Sequence, residues 1–98
     1  MLLANLMITQ EVLRHRNDLP EMIQFIQRGG IWTEPVILLK RPCENGLIYI
    51  EDGHHRCVAT FLARRKMLFP QEFLLKFGIN NCGLHLNLGD YASKIRGL

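Results

Sequence analysis

The stretch LIYIEDGHHRCVATFLARRKM, residues 47 to 67, decides how this chain folds. It opens with an apolar run typical of a strand, breaks at Gly53, and continues with apolar residues at helical spacing. Val58, Phe61 and Leu62 follow the i, i+3, i+4 pattern of one helix face, which predicts a helix from His54 to about Met67, ended by Pro70. The strand-to-helix turn between them gathers acidic, histidine and arginine side chains around one point.

Length and composition bound the rest of the molecule. With 98 residues, 48% of them hydrophobic, the sequence predicts one domain over residues 1–98 with its own core. The net charge of +3 suits an anionic ligand without demanding one, and leaves nucleic-acid binding open. The three cysteines, Cys43, Cys57 and Cys82, lack the spacing of a disulfide framework or a zinc site. We therefore expect a reducing, cytoplasmic setting and no structural metal.

The flanking sequence predicts further elements around this turn. The start, MLLANLMITQ, is too short for a membrane span and is interpreted as a first strand. LPEMIQFIQRGG reads as a short helix with a glycine stop. Strands are predicted at residues 36–40 and 47–50, joined through the hairpin signal at residues 45–46, and in EFLLKFGI. LGDYASKIRGL predicts a last helix capped by Asp90. The fold class is therefore α+β, with a small mixed sheet and packed helices.

The segment IEDGHHRCVATFLA resembles the signature of the ParB/sulfiredoxin-like superfamily, in which a strand ends in a Gly-x-(His or Arg)-Arg turn and a helix follows. The order of elements, a GG turn before a PV-led strand, a hairpin and then the motif, is similar as well. The resemblance covers about residues 5 to 77. The DGHHR version is most similar to the branch that includes the ADP-dependent free serine kinase, which implies a nucleotide-phosphate site at the turn.

The chain also departs from known members of that superfamily. His54 stands where a sulfiredoxin carries its catalytic cysteine, and Cys57 lies on the wrong side of the motif, so reductase chemistry is not expected. A partitioning ParB carries a helix-turn-helix domain and a dimerisation tail after this motif, for which we expect no room within these 98 residues, so centromere recognition is not expected either. A catalytic glutamate of the kinase type cannot be matched, so kinase activity is an extrapolation.

The chemistry of the turn leads to an anion site without the resemblance. The first turn of a helix offers unpaired N–H groups, Gly53 lets a phosphate approach the backbone, and Arg56 supplies a bidentate donor. His54 and His55 add hydrogen bonds or general-base capacity. The alternative is structural: Asp52 caps the helix, one histidine packs on a loop, and Arg56 pairs with a surface acid.

Other residues near the motif each have a functional and a structural interpretation. Glu51 and Asp52 are candidate catalytic groups or ligands of a Mg²⁺ ion bound with the nucleotide, or simply exposed acids. Arg14 and Arg16 are candidates to reach the phosphate, or part of a solvated face. Trp32 is expected to pack rather than stack on a base.

Two functions follow from these observations. The first is a small enzyme that binds a nucleoside di- or triphosphate, with or without Mg²⁺, as a phosphotransferase, NTPase or nuclease. The second is a non-catalytic interaction module of the kind found in phages and mobile elements, with a protein or DNA partner. A homo-oligomer that completes the site is compatible with either. Neither function involves a membrane.

Overall fold

The computed structural model describes residues 1–10, 12–40, 46–78 and 86–95. Within these ranges the chain forms three helices and three strands, which confirms the α+β class. In chain order they are α1 (Leu19–Gln27), β1 (Val36–Lys40), β2 (Ile48–Asp52), α2 (His54–Leu62), β3 (Phe73–Phe77) and α3 (Leu88–Ile95). Short 3₁₀ turns at Arg16–Asp18 and Pro70–Glu72 precede α1 and β3.

The three strands form one small mixed sheet in the order β2-β1-β3. β1 pairs antiparallel with β2, with Leu38 opposite Ile50, and parallel with β3, with Leu38 opposite Leu75. The predicted adjacent strands are confirmed, with β2 running two residues further than expected, to Asp52. The hairpin signal at Asn45 lies outside the described residues. The acidic end of β2, Glu51 and Asp52, therefore directly precedes Gly53, the N-cap residue of α2.

The helix after Gly53 begins where the periodicity predicted and ends earlier. α2 stops at Leu62 rather than near Met67, and Pro70 is not what ends it. Arg64 has a positive φ of 71°, a left-handed conformation that a helix interior does not contain. The prediction of the C-terminal end was therefore wrong, because a local chain reversal at residues 63–64 ends the helix before the proline is reached.

The N-terminal segment is not the regular strand that its composition predicted. Residues 1–10 make only isolated bridges, from Leu2 to Met67 and from Met7 to both Tyr49 and Asn87. The Met7 amide donates to the Ile48 carbonyl at 2.8 Å. The segment lies beside β2 and fastens it to the start of α3 without a continuous ladder.

The cap of the last helix was also predicted wrongly. The backbone amide of Asp90 donates to the side-chain oxygen of Asn87 at 2.8 Å, so Asn87 caps α3. Asp90 lies in the first turn instead, where its charge complements the helix dipole.

The core lies between the sheet, the helices and the N-terminal segment. α1 packs against α2, and α2 packs against α3. Leu38 and Ile50 from the sheet and Val58 from α2 are fully buried. The rest of the core cluster includes Leu3, Leu6, Ile8, Leu13, Leu19, Val36, Cys57, Ala59, Leu68, Leu88 and Tyr91. In the described part of the chain, no helix is long and apolar enough to cross a membrane.

Candidate functional site

A cleft of about 880 Å³ opens in front of the first turn of α2. Its polar end is formed by the end of β2 and the turn, and its other end by α1 and the loop that leads to β1. The residues that line it are Gln10, Arg14, His15, Met22, Phe25, Ile31, Trp32, Thr33, Glu34, Glu51, Asp52, Gly53, His54, His55 and Arg56. The structure thus brings the whole predicted motif together at one cleft.

The start of α2 is free of the devices that usually neutralise a helix N-terminus. Gly53 occupies the N-cap position with a φ of 100°, and no side chain of the described residues caps the helix. No acidic residue lies in the first turn. Asp52 therefore does not cap the helix, contrary to the structural alternative. The residues of the first turn line the cleft, so the positive end of the helix dipole lies beside it.

Arg56 folds back over this glycine. A Cβ atom built on Gly53 would lie 3.1 Å from Nη2 of Arg56, which places the guanidinium directly above the turn. Nη1 donates to the carbonyl oxygen of Glu34, and Nη2 lies 3.7 Å from the Asp52 carboxylate. The Asp52 side chain is 69% exposed, so this ion pair is weak. The guanidinium is therefore held by the Glu34 carbonyl, and it also pairs weakly with a surface acid, as the structural alternative predicted.

His54 is buried and neutral. Its Nε2 accepts a hydrogen bond from the backbone amide of Thr9 at 3.1 Å, so the ring proton resides on Nδ1. Burial, and secondarily the neighbouring His55, lowers the pKa of His54 to about 4 against the opposing charge of Asp52. This imidazole fastens the N-terminal segment to the turn.

His55 makes the same kind of contact from a more exposed position. Its Nε2 accepts from the backbone amide of His15 at 3.0 Å, and the two rings lie 5.8 Å apart. Burial and then the nearby His15 lower the pKa of His55, although Asp18 opposes them. Both histidines of the motif thus bind the loop before α1 through Nε2, and each keeps its Nδ1 proton as a donor.

The remaining predicted residues divide between two places. Arg14, Glu51 and Asp52 line the cleft, and all three are exposed. Arg16 lines a different hollow, between α1 and the ends of α2 and α3, and does not join the site. Among the described residues, no group of three or more His, Cys, Asp or Glu side chains is placed to hold a metal ion.

The other wall of the cleft is apolar. The rings of Phe25 and Trp32 pack with their centroids 4.8 Å apart, and Met22 and Ile31 line the same wall. Trp32 packs, as predicted, and it also borders the cleft. A polar end and an aromatic end therefore face one space.

Several residues that shape the site carried no sequence signal. Thr9 lies in the segment interpreted as a plain strand, and Glu34 contributes a backbone carbonyl, which any residue provides. The Glu72 carboxylate, fully buried behind the cleft, stands in a segment that reads as an ordinary strand start. Only a three-dimensional arrangement identifies such residues.

Comparisons with known proteins give no relative from which a function could be transferred. No family model matches the chain, and neither the curated proteins nor the solved structures contain a significant match.

Proposed function

We propose that this chain is a small ParB/sulfiredoxin-like protein that binds a nucleoside di- or triphosphate, with the phosphates at the first turn of α2. The observation that carries the proposal is the uncapped helix start at Gly53, which borders the cleft beside the guanidinium of Arg56. Backbone amides, a helix dipole and a planar donor fork converge there, and each favours a phosphate. The aromatic wall provides an apolar surface for the remainder of the ligand.

The acidic end of β2 has a place in the same proposal. Glu51 and Asp52 are exposed carboxylates at the edge of the cleft, and Mg²⁺ is commonly held by one or two carboxylates together with substrate phosphates. These two residues would hold the ion, which would offset the negative charge of the phosphates. Their own negative charge otherwise opposes phosphate binding.

The geometry supports binding more directly than catalysis. A general base needs a free lone pair near the reacting group. The Nε2 lone pairs of His54 and His55 are both directed at backbone amides, of Thr9 and His15. In this arrangement neither Nε2 is free to act as a general base. Glu51 and Asp52 are then the carboxylates left to activate a nucleophile if the protein hydrolyses or transfers phosphate.

The first test is nucleotide affinity in Arg56→Ala. Hydrogen bonds to charged groups contribute about 1.5 to 3 kcal/mol, so the variant should bind nucleoside di- and triphosphates roughly tenfold to a hundredfold more weakly. Isothermal titration calorimetry with Mg²⁺ measures this directly. Arg56→Lys should retain part of the affinity, because it keeps the charge and loses the fork.

Arg16→Ala is the matched control. It removes the same charge from a nearby exposed residue that lies outside the cleft. We expect this variant to bind nucleotide as tightly as the wild type. Equal losses in both variants would mean that only net charge matters. A wild-type protein that binds no nucleotide at millimolar concentration would refute the proposal.

One observation favours the interaction module as a second candidate. The outer strand β3 exposes Leu74, Leu75 and Phe77, with Phe77 at 78% exposure. Apolar side chains along an outer strand favour a protein partner over DNA. In this case the turn would keep its structure and the molecule would act through β3.

Phe77→Ser separates the two candidates. It should leave folding and nucleotide affinity unchanged, because the side chain is exposed and lies outside the cleft. It should abolish binding to a protein partner, including self-association measured by analytical ultracentrifugation. Arg56→Ala should have the opposite pattern.

A further inference from the structure

A fully buried carboxylate lies behind the cleft. Glu72, in the 3₁₀ turn before β3, has no exposed side-chain surface. Its Oε1 accepts hydrogen bonds from Arg65 and from the backbone amide of Phe69 at 2.9 Å, and its Oε2 accepts from the backbone amide of Trp32 at 3.0 Å. One carboxylate therefore joins the chain after α2, the turn before β3 and the loop that lines the cleft.

The same network continues to the anion-binding turn. The indole N–H of Trp32 donates to the hydroxyl of Thr60 at 2.8 Å, and that hydroxyl donates to the carbonyl oxygen of Arg56 at 2.6 Å. Thr60 is fully buried. Trp32 is thus held at its backbone by Glu72 and at its ring by Thr60, which is itself bonded to the residue that covers Gly53.

We infer that Glu72 is a positioning residue of the cleft: through Trp32 and Thr60 it holds the aromatic wall and the first turn of α2 in one fixed geometry. It touches no ligand. Its effect on affinity rests on the proposed function, whereas its effect on the position of Trp32 does not.

The chemistry of the carboxylate supports a role that depends on its charge. Burial raises the pKa of Glu72, but the hydrogen bonds from Arg65, Phe69 and Trp32, together with the Arg65 charge, outweigh burial and bring the pKa below its ordinary value. An ionised acceptor facing three donors is satisfied only as a carboxylate. A glutamine side chain at this position would place its NH₂ group, a hydrogen-bond donor, against one of these three donors.

Glu72→Gln tests the inference with little change in shape. If the amide group takes the position of Oε1, it meets the donors of both Arg65 and Phe69; at Oε2 it meets only the Trp32 amide. The second arrangement is less costly, so this variant should release Trp32 selectively. Trp32 is the single tryptophan of the chain, so its fluorescence reports the change. We expect a red-shifted emission and stronger quenching by acrylamide.

Thr60→Val tests the other end of the network. It is close in shape and removes the acceptor of the indole N–H, and we expect it to increase acrylamide quenching without acting on Glu72. Ala92→Gly in α3 is the control for lost stability alone, because it weakens a helix outside the network. It should lower the melting temperature and leave Trp32 emission unchanged.

The ligand measurement follows in the folded variants. Glu72→Gln should lower the affinity for a nucleoside triphosphate severalfold, and Ala92→Gly should not. Unchanged emission and quenching in both Glu72→Gln and Thr60→Val would overturn the inference. If their fluorescence changes while wild-type protein binds no nucleotide, the positioning role stands and the proposed function fails.

Discussion

The two histidines of the turn, His54 and His55, make the same kind of contact, and that contact is structural. Nε2 of His54 accepts a hydrogen bond from the backbone amide of Thr9, and Nε2 of His55 accepts one from the backbone amide of His15. Side chains that the sequence marks as chemical groups thus fix a loop against the helix start. In the proposed function, phosphate binding then rests on the backbone at Gly53 and on the side chain of Arg56.

The buried state of His54 leads to a prediction about pH. Its pKa is lowered from 6.5 to about 4 in the folded protein, so the unfolded chain binds a proton at a pH where the folded chain does not. Stability from this group is complete above pH 6.5 and is lost as the pH falls toward 4. The shift corresponds to roughly 3 kcal/mol. Urea unfolding across this range measures the loss, with His55 adding a smaller contribution of the same sign.

His54→Gln isolates the contribution of this residue. The glutamine oxygen can accept a hydrogen bond from the Thr9 amide and does not titrate, so the wild type should lose unfolding free energy relative to the variant as the pH falls through this range. A difference that stays constant from neutral to acidic pH would contradict the assignment to His54.

The connection between β2 and α2 depends on one glycine. Gly53 has a φ of 100°, and a Cβ atom there would lie 3.0 Å from Cγ2 of Val36 and 3.1 Å from Arg56. Gly53→Ala should therefore lower the free energy of unfolding by about 1 to 3 kcal/mol, and under the proposed function it should also weaken phosphate binding, because the methyl group crowds the Arg56 guanidinium. Thermal unfolding and calorimetry give the two quantities.

Gly29→Ala is the matched control for this change. Gly29 also has a positive φ, of 88°, but a Cβ atom there meets nothing within 4 Å. Gly29→Ala introduces the strain of a positive φ but no close contact of the new methyl group. It should therefore destabilise the fold less than Gly53→Ala and leave phosphate affinity unchanged. Identical effects of the two substitutions would show that space at Gly53 is unimportant.

The sequence predicted the elements that have a local cause. α1 has a proline in its first turn and a glycine after its end. The start of α2 follows Gly53, whose positive φ is a backbone conformation that glycine adopts at turns. The early end of α2 was missed because the left-handed residue there is Arg64, which carries no turn signal. The N-terminal segment was missed because an apolar run predicts burial and does not distinguish a ladder from isolated bridges.

The candidate site shows the same division. The motif from Glu51 to Arg56 is continuous in sequence, so its convergence on one point was predictable. Arg16 was grouped with Arg14 because the two are close in sequence, yet it lines a separate hollow. The network of Glu72 and Trp32 joins residues 40 positions apart, and no single-sequence pattern encodes such a pair.

The whole molecule depends on a segment without regular structure. The Leu6 carbonyl accepts the amide of Leu88 at 2.7 Å, and Leu3 donates its amide to Lys66 at 2.9 Å. Leu3, Leu6 and Ile8 are buried in the core. Residues 1–10 therefore connect the sheet with the chain after α2 and with α3, and bring Thr9 to His54.

Leu6→Ala should accordingly destabilise the fold as strongly as a substitution in a central strand. Leu6 is 1% exposed, and loss of a buried leucine side chain costs about 2 to 5 kcal/mol through lost burial and the cavity left behind. Leu2→Ala in the same segment is the control, since Leu2 is 53% exposed and its loss should change the free energy of unfolding little. Urea denaturation of the two variants measures the difference. Comparable small effects would show that the segment only rests on the domain, and that His54 is held by the turn itself rather than by the N-terminal segment.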